Sequence, residues 1–320
     1  MQHRVALGLL LVVTAVVYLP SLGYGFVYED LRSMTDTLTW SGWSARALFV
    51  YEHPLRSLTV VSRDVNIAVF GIQPWSLHLG NVLIHLANVW LVWRVASQVG
   101  LGQAAWWAAA LFALHPMQVE AVTYVSARSD LLSVTGVLLA LWATSVGSVA
   151  GAVAGVALAV LGKETAVVAF ALVPLWAFTT RAKFPLAVWL GVGVILVPLV
   201  WVATKMTPAF SLDDAQESLV AAWRLFSLWV VPVGFSIEHD WRVWAWTAPL
   251  FMVPTVVLTL WAVTRRSWGA FAWLWTVLAL SPRVLPLYEG LHERHMYLVS
   301  IGWCLCAGSW LGSYAQRRTT

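Results

Sequence analysis

Val5-Ala6-Leu7-Gly8-Leu9-Leu10-Leu11-Val12-Val13-Thr14-Ala15-Val16-Val17-Tyr18-Leu19 carries no charge, and Phe26-Val27-Tyr28-Glu29-Asp30 stands just beyond it. An uncharged apolar run of this kind reads as a membrane helix. Two adjacent carboxylates at its mouth are costly to keep unless they are solvated and used. We therefore read Asp30, with Glu29 beside it, as an acid–base centre at the end of a membrane span.

The same character runs through the chain. Of its 320 residues, 60% are hydrophobic and 11% charged, with a mean hydropathy of +0.76. A soluble domain carries about 25% charged residues, so most of this chain faces lipid or other apolar helices. The expected fold is an all-α polytopic membrane protein. The 22 tryptophans fit belts at the two membrane interfaces. A net charge of +4 bears on orientation in the bilayer rather than on nucleic-acid binding. Cys304 and Cys306, two apart in an apolar run, suit neither a disulfide framework nor a four-ligand metal site. Met1-Gln2-His3-Arg4 and the run after it resemble a signal peptide, but Leu19-Pro20-Ser21-Leu22-Gly23 makes a poor cleavage site. The first run is expected to remain as a span.

Apolar runs that span or nearly span a bilayer fall at 5–20, 76–96, 104–115, 131–146, 149–162, 164–179, 185–204, 245–264, 269–282 and 296–315. The run 218–234 holds Arg224 and ends on Pro232 and Gly234; it reads as re-entrant or tilted. Threading from a cytoplasmic N-terminus puts Arg4, Arg94, Arg181, Lys183, Arg265, Arg266, Arg317 and Arg318 inside. All fifteen Asp and Glu fall outside or at outer helix ends. Basic residues concentrate on the cytoplasmic side of membrane proteins, so both termini are expected there, with the chemistry on the outer or lumenal face. One domain, 1–320, is expected, without a soluble part.

The outer segment 21–75 is too long for a tight connection. Trp43 to Val50 and Ser57 to Phe70 have helical apolar spacing and read as helices in the interface plane. Arg56 and Arg63 lie two turns apart on one face, suited to anchoring among headgroups or to gripping a phosphate. In the second run His78, Asn81 and His85 form a polar stripe. It serves either helix–helix hydrogen bonding or, for His78 near the outer end, a cavity wall. Lys163-Glu164 tops a hairpin, where the lysine meets either a lipid phosphate or its neighbour. Asp213-Asp214 reads as a helix cap before a metal site. Glu238 to Arg242 either reaches the cavity or forms a solvated turn.

Between two apolar runs lies His115-Pro116-Met117-Gln118-Val119-Glu120-Ala121-Val122-Thr123-Tyr124-Val125-Ser126-Ala127-Arg128-Ser129-Asp130. This stretch resembles the H-P-x-x-x-E-A-V-x-x-x-S-x-R-x-D-L-L signature of the transmembrane and tetratricopeptide-repeat O-mannosyltransferases and their bacterial relatives, polyprenyl-phosphate-sugar-dependent glycosyltransferases of the GT-C type. The resemblance extends to His53-Pro54-Leu55, to Phe70-Gly71 through Pro74-Trp75, His78, Asn81, His85 and Asn88, and to Leu161-Gly162-Lys163-Glu164. It continues at Pro232 to Trp241 and at Glu293-Arg294-His295-Met296-Tyr297-Leu298. His53 stands where an arginine is commoner, Glu29-Asp30 replaces the more usual Asp-Asp pair, and a tetratricopeptide array is expected to be absent.

The resemblance implies a GT-C bundle of about ten to eleven membrane helices, with interfacial helices in the first outer loop. It implies a transferase that moves a sugar, mannose by analogy, from a polyprenyl phosphate to a hydroxyl of a protein or glycan acceptor, with inversion. Asp30, with Glu29, is the expected catalytic centre. Arg56, Arg128, Lys163, Arg294 and His295 are the expected grip on the donor phosphate, with Arg294 first. His53, His78, Asn81, His115, Glu120, Asp130 and Glu293 are the expected cavity residues. A divalent cation, Mg or Mn, is an open expectation. Three other readings stay open: a lipid- or glycan-modifying transferase of the same type, a catalytically silent subunit of a membrane complex, and a transporter, against which the placement of the charges at one face argues.

Overall fold

The computed structural model describes residues 2–30, 56–183, 189, 193, 212–234, 248–284 and 292–319, and among these every regular element is helical. Helix α1 (Gln2–Tyr18) runs into a 3-10 turn, Leu19–Gly23; α2 (Ser57–Phe70) is followed by α3 (Pro74–Gln98) and α4 (Gln103–Leu114). Three short turns, Pro116–Gln118, α5 (Val119–Thr123) and Val125–Ala127, lead into α6 (Arg128–Ser145) and α7 (Val149–Gly162). A 3-10 turn, Glu164–Val168, opens α8 (Ala169–Thr180); then come α9 (Leu212–Val230), α10 (Ala248–Val263), α11 (Trp268–Val284) and, after the turn Glu293–His295, α12 (Met296–Thr319).

The protein is an all-α membrane protein. Four stretches are long and apolar enough to cross a bilayer: Val5–Gly23, Pro74–Gln98, Val125–Ser145 and Glu293–Ala315. Ala104–Leu114, Val149–Gly162, Glu164–Thr180 and Val253–Val263 are shorter apolar helices. Val5, Leu9, Val12, Val16 and Val17 on α1, and Val253, Val256, Val257 and Leu260 on α10, are exposed. Outward apolar stripes of this extent mark surface that meets lipid.

Where helices meet each other, small residues replace them. Gly308 and Gly312 of α12 face Ala108 and Ala104 of α4, so closely that an added Cβ would come within 2.5 Å of either alanine. Gly136 of α6 and Gly155 of α7 interlock in the same way. Lipid supplies no hydrophobic drive between helices, so close backbone approach through small residues is what holds them.

The interfacial helix expected over Ser57–Phe70 is present, ending at Gly71, whose φ of 72° is open to glycine. The expected helix at 43–50 and nearly all of the run 185–204 lie outside the described residues. Two spans start earlier than hydropathy implies. Arg128 and Asp130 lie in the first turn of α6, not in the loop before it, and the last span begins at Glu293. In α6 the helix accommodates Arg128 and Asp130 because both have partners in the protein, and Arg294 in the turn before α12 has one in Glu120, as described below.

Tyr18 meets His85 and Tyr24 meets His78, so α1 and α3 run antiparallel. Alternation along the chain then brings the end of α1, the starts of α3, α6 and α12, and the ends of α4 and α7 to one end of the bundle. Every acidic side chain described, Glu29, Asp30, Asp64, Glu120, Asp130, Glu164 and Glu293, is at that end. Arg94, Arg181, Lys183, Arg265, Arg266 and Arg317 are at the other.

Candidate functional site

The site is built on the turn that follows α1. Asp30 N–H donates to the Val27 carbonyl at 3.0 Å, and Val27 N–H returns a bond to Asp30 Oδ2 at 3.3 Å. Tyr28 between them has a φ of 49°, a left-handed conformation that costs energy in a non-glycine residue. The reciprocal bonds hold it. Asp30 Oδ1 accepts from both the backbone N–H of Ser126, at 2.8 Å, and its hydroxyl, at 2.6 Å. Asp30 is fully buried and Glu29 is exposed, so the two adjacent carboxylates occupy different environments.

Across the same loop, Glu120 takes a two-point grip from the last span. Its Oε2 accepts the Arg294 backbone N–H at 2.8 Å and its Oε1 accepts Arg294 Nη1 at 2.9 Å. The guanidinium lies 5.2 Å from the Tyr124 ring centroid. Burial first, then the charges of Glu29 and Asp30, push the Tyr124 phenol above its ordinary range. Tyr124 thus sits between the carboxylate pair and Arg294. Among the described residues Arg294 Nε and Nη2 donate to no protein acceptor, which leaves that guanidinium an edge for a ligand.

Arg128 is differently placed. Nε donates to Asn81 Oδ1 at 2.9 Å; Nη1 donates to the Ser62 carbonyl and hydroxyl at 3.2 and 3.4 Å; Nη2 donates to Asn66 Oδ1 at 3.1 Å and to the Leu77 carbonyl at 2.7 Å. A guanidinium has five N–H groups, and all five have protein acceptors. Buried and saturated, Arg128 ties α6 to α2 and α3. Asn81 also donates to the Tyr124 carbonyl at 2.9 Å, so the same tie fixes the loop.

Two more of the expected phosphate ligands, Lys163 and Arg56, are paired with carboxylates. Lys163 Nζ donates to Asp130 Oδ2 at 2.6 Å, both nearly out of reach of solvent. Arg56 Nε and Nη2 make a two-point pair with Glu164 at 3.0 and 2.7 Å, and nearby Thr59 Oγ1 donates to the Gly162 carbonyl. Lys163 therefore reaches across to α6 rather than to its neighbour Glu164, which Arg56 takes.

The histidines divide. His85 is buried between the Ala113 carbonyl and the Tyr297 hydroxyl, at 3.2 and 2.7 Å, and Asn88 joins them to Thr135. That is helix–helix hydrogen bonding. His115 Nδ1 accepts from Met117 N–H at 3.2 Å, its Nε2 donates to the Trp229 carbonyl at 2.9 Å, and its ring stacks on Trp229. Burial lowers its pKa. His295 closes a reciprocal cap with His292 at the start of α12, and Glu293 is buried beside it. His78 is buried edge-on to Tyr24, and neither ring nitrogen has a hydrogen-bond partner among the described residues. His53 and Glu238 to Arg242 lie outside the described residues. No three His, Cys, Asp or Glu side chains among those described gather as a metal site.

Asp30, Glu29, Glu120, Arg128 and Arg294 are thus brought to one loop, with Lys163 and Asp130 as a buried pair beneath it. The sequence alone points to no role for Tyr124 or Ser126, although both lie inside the motif 115–130. Ser126 and Asp30 are 96 positions apart, and no spacing rule joins them.

Comparison with known proteins bears on this site. The chain is 34% identical over 143 residues to "Protein O-mannosyl-transferase Tmtc1" of Drosophila melanogaster, covering 39% of this chain and 16% of that protein. It is 36% identical over 142 residues to "Protein O-mannosyl-transferase Tmtc2" of the same fly, covering 39% and 15%, and 34% identical over 140 residues to "Protein O-mannosyl-transferase TMTC2" of Homo sapiens, covering 39% and 16%. The match spans about a sixth of the length of these relatives. No family profile matches the chain, and no solved structure does.

Proposed function

We propose that this chain is a membrane glycosyltransferase that moves a sugar from a polyprenyl-phosphate donor to a protein hydroxyl, at the acidic end of its helix bundle. Mannose is the sugar, following the names of the similar proteins. The acidic end faces outward or into a lumen, because the opposite end carries the basic residues that favour the cytoplasmic side. Nucleotide sugars are absent from that face, so the activated sugar arrives on a lipid phosphate.

One observation supports this reading most: Asp30 and Arg294, from two distant parts of the chain, converge on the loop 115–130 that carries Glu120, Tyr124 and Ser126. Asp30 Oδ2 takes the proton of the acceptor hydroxyl as its oxygen attacks the anomeric carbon. The bond from that carbon to the phosphate oxygen breaks with inversion, and the phosphate leaves with the electron pair. Arg294, oriented by Glu120 and Tyr124, meets the charge that develops on it. Arg56, half-buried and paired with Glu164, is a second contact at the rim. A divalent cation would find the exposed Glu29, but the described residues supply no set of three ligands, and the scheme routes no step through a metal.

Arg128 and Lys163 do not serve as phosphate ligands in this scheme. All five N–H groups of Arg128 have acceptors inside the protein and Lys163 is held by the buried carboxylate of Asp130, so both hold the loop in place.

The test is transfer by the full chain in liposomes, from radiolabelled polyprenyl-phosphate mannose to protein. Label appearing in protein is expected. Label confined to lipid would support a lipid-modifying transferase instead, and no transfer from mannose or any other polyprenyl-phosphate sugar would overturn the reading.

A further inference from the structure

At the end of the bundle remote from Asp30, a cavity of about 430 Å3 opens between the C-terminus of α8 and the turn joining α10 to α11. It is lined by Pro174, Ala177, Phe178, Arg181, Ala182 and Arg266. Two guanidiniums line it and no carboxylate does. Among the described residues neither arginine makes an ion pair, and Arg266 lies over the Phe178 ring, 4.0 Å from its centroid. Two cations facing one cavity repel unless an anion lies between them.

Backbone geometry points the same way. Arg181 follows the last turn of α8 with a φ of 58°, and the N–H groups of Arg181 and Ala182 both close on the Ala177 carbonyl. Glycine is the usual residue at this left-handed position. Here a strained arginine stands instead, with its side chain on the cavity, and such strain is concentrated where ligands bind. The α8 C-terminus itself repels anions, but Lys183 and Arg265 flank the cavity and tip the local balance to positive.

The remaining lining is apolar, and the neighbouring face of α10, with Val256, Leu260 and Val263, is exposed. A ligand that fits is charged at one end and apolar at the other. We propose that this cavity binds the headgroup phosphate of an anionic membrane phospholipid. Arg181 and Arg266 grip the phosphate, and the acyl chains lie against Pro174 and Phe178. The end of the bundle that carries it holds Arg94, Arg181, Lys183, Arg265, Arg266 and Arg317 and is distinct from the transferase site.

The full chain is purified into phosphatidylcholine nanodiscs with a rising fraction of phosphatidylglycerol, and its thermal midpoint is followed. A saturable rise is expected for the wild type, and none for Arg181→Gln/Arg266→Gln. Arg181→Gly separates folding from binding. Glycine relieves the left-handed backbone, so the midpoint without phosphatidylglycerol holds or rises, while the half-saturating lipid fraction increases about tenfold, a loss of one strong contact. Inorganic phosphate at millimolar concentration leaves the midpoint unchanged if the lipid is the ligand. The proposal fails if the double variant saturates like the wild type, if the rise never saturates, or if inorganic phosphate alone reproduces it. A non-saturating rise would identify Arg181 and Arg266 as general headgroup anchors.

Discussion

Ser126 donates two hydrogen bonds, from its backbone N–H and from its hydroxyl, to the same oxygen of Asp30. One residue of the loop 115–130 therefore fixes both the position and the orientation of the carboxylate that follows the first span. The carboxylate is directed by a residue that takes no part in the proposed chemistry.

Ser126→Ala removes the shorter of these bonds and keeps the backbone one. Mispositioning of a catalytic group by a fraction of an ångström costs up to about 100-fold in rate. We expect transfer to fall by about tenfold to 100-fold through kcat, with little change in KM, and Ser126→Thr to recover most of it. Steady-state kinetics of the two variants against acceptor and donor check this. An unchanged kcat in Ser126→Ala would mean that Asp30 is held by other contacts.

Arg128→Lys keeps the charge but replaces a planar five-donor fork by a three-donor point charge. At least two of the buried acceptors on Asn81, Ser62, Asn66 and Leu77 lose their donor, at about 1–3 kcal/mol each. The thermal midpoint should drop markedly, and polyprenyl-phosphate affinity, measured at a temperature where the variant is folded, should be unchanged. A weakened affinity with normal stability would return Arg128 to the donor site.

Lys163 and Asp130 form an ion pair that is nearly fully buried. Removing one partner strands the other's charge, at about 3–5 kcal/mol, whereas an apolar pair of similar volume is often tolerated. Lys163→Met should therefore be poorly folded and Lys163→Met/Asp130→Leu substantially recovered. Chemical or thermal unfolding in mild detergent distinguishes them. Equal loss in the single and double variants would contradict the pairing.

The folded state favours neutral His115, because burial lowers its pKa and Nδ1 accepts the Met117 N–H. A histidine with a depressed folded pKa contributes stability fully above its unfolded value, near 6.5, and that contribution is lost as pH falls through and below it. Moving from pH 7.5 to 5 should lower the wild-type thermal midpoint more than that of His115→Asn, whose side chain still accepts from Met117 but does not titrate. An equal drop in both would assign the acid sensitivity to other groups.

Much of the architecture was legible as runs of apolar residues: α1, α3, α4, α7, α8, α10 and α11 follow them closely. Hydropathy misplaced the start of α6 and missed the turn Glu293–His295 that leads into α12, because Arg128 and Glu293 read as loop when taken alone. Their neighbours in space, Asn81 and Asn66 for Arg128, and Glu120 for the adjacent Arg294, remove the cost of burial, and those partners come from distant parts of the chain. The same limit applies to the site. The motif brought Glu120, Ser126, Arg128 and Asp130 into view together, but not their division of labour. Whether a cation is saturated by five protein acceptors, as Arg128 is, or keeps an edge for a ligand, as Arg294 does, depends on contacts that spacing does not encode. The charge asymmetry was readable: basic residues counted onto one side of the membrane do lie at one end of the bundle.

The most direct test of the account is mannose transfer from polyprenyl phosphate by Asp30→Asn, in membranes with expression and thermal midpoint matched to wild type. Asparagine still offers Oδ1 to Ser126 and keeps its own backbone N–H bond to the Val27 carbonyl. Its amide nitrogen cannot accept from Val27 N–H as Oδ2 does, which is why the matched thermal midpoint is part of the test. General-base contributions are about 100-fold to 10,000-fold; the account predicts a kcat reduced by at least the lower figure, with donor binding intact. Transfer by Asp30→Asn at the wild-type rate would contradict it.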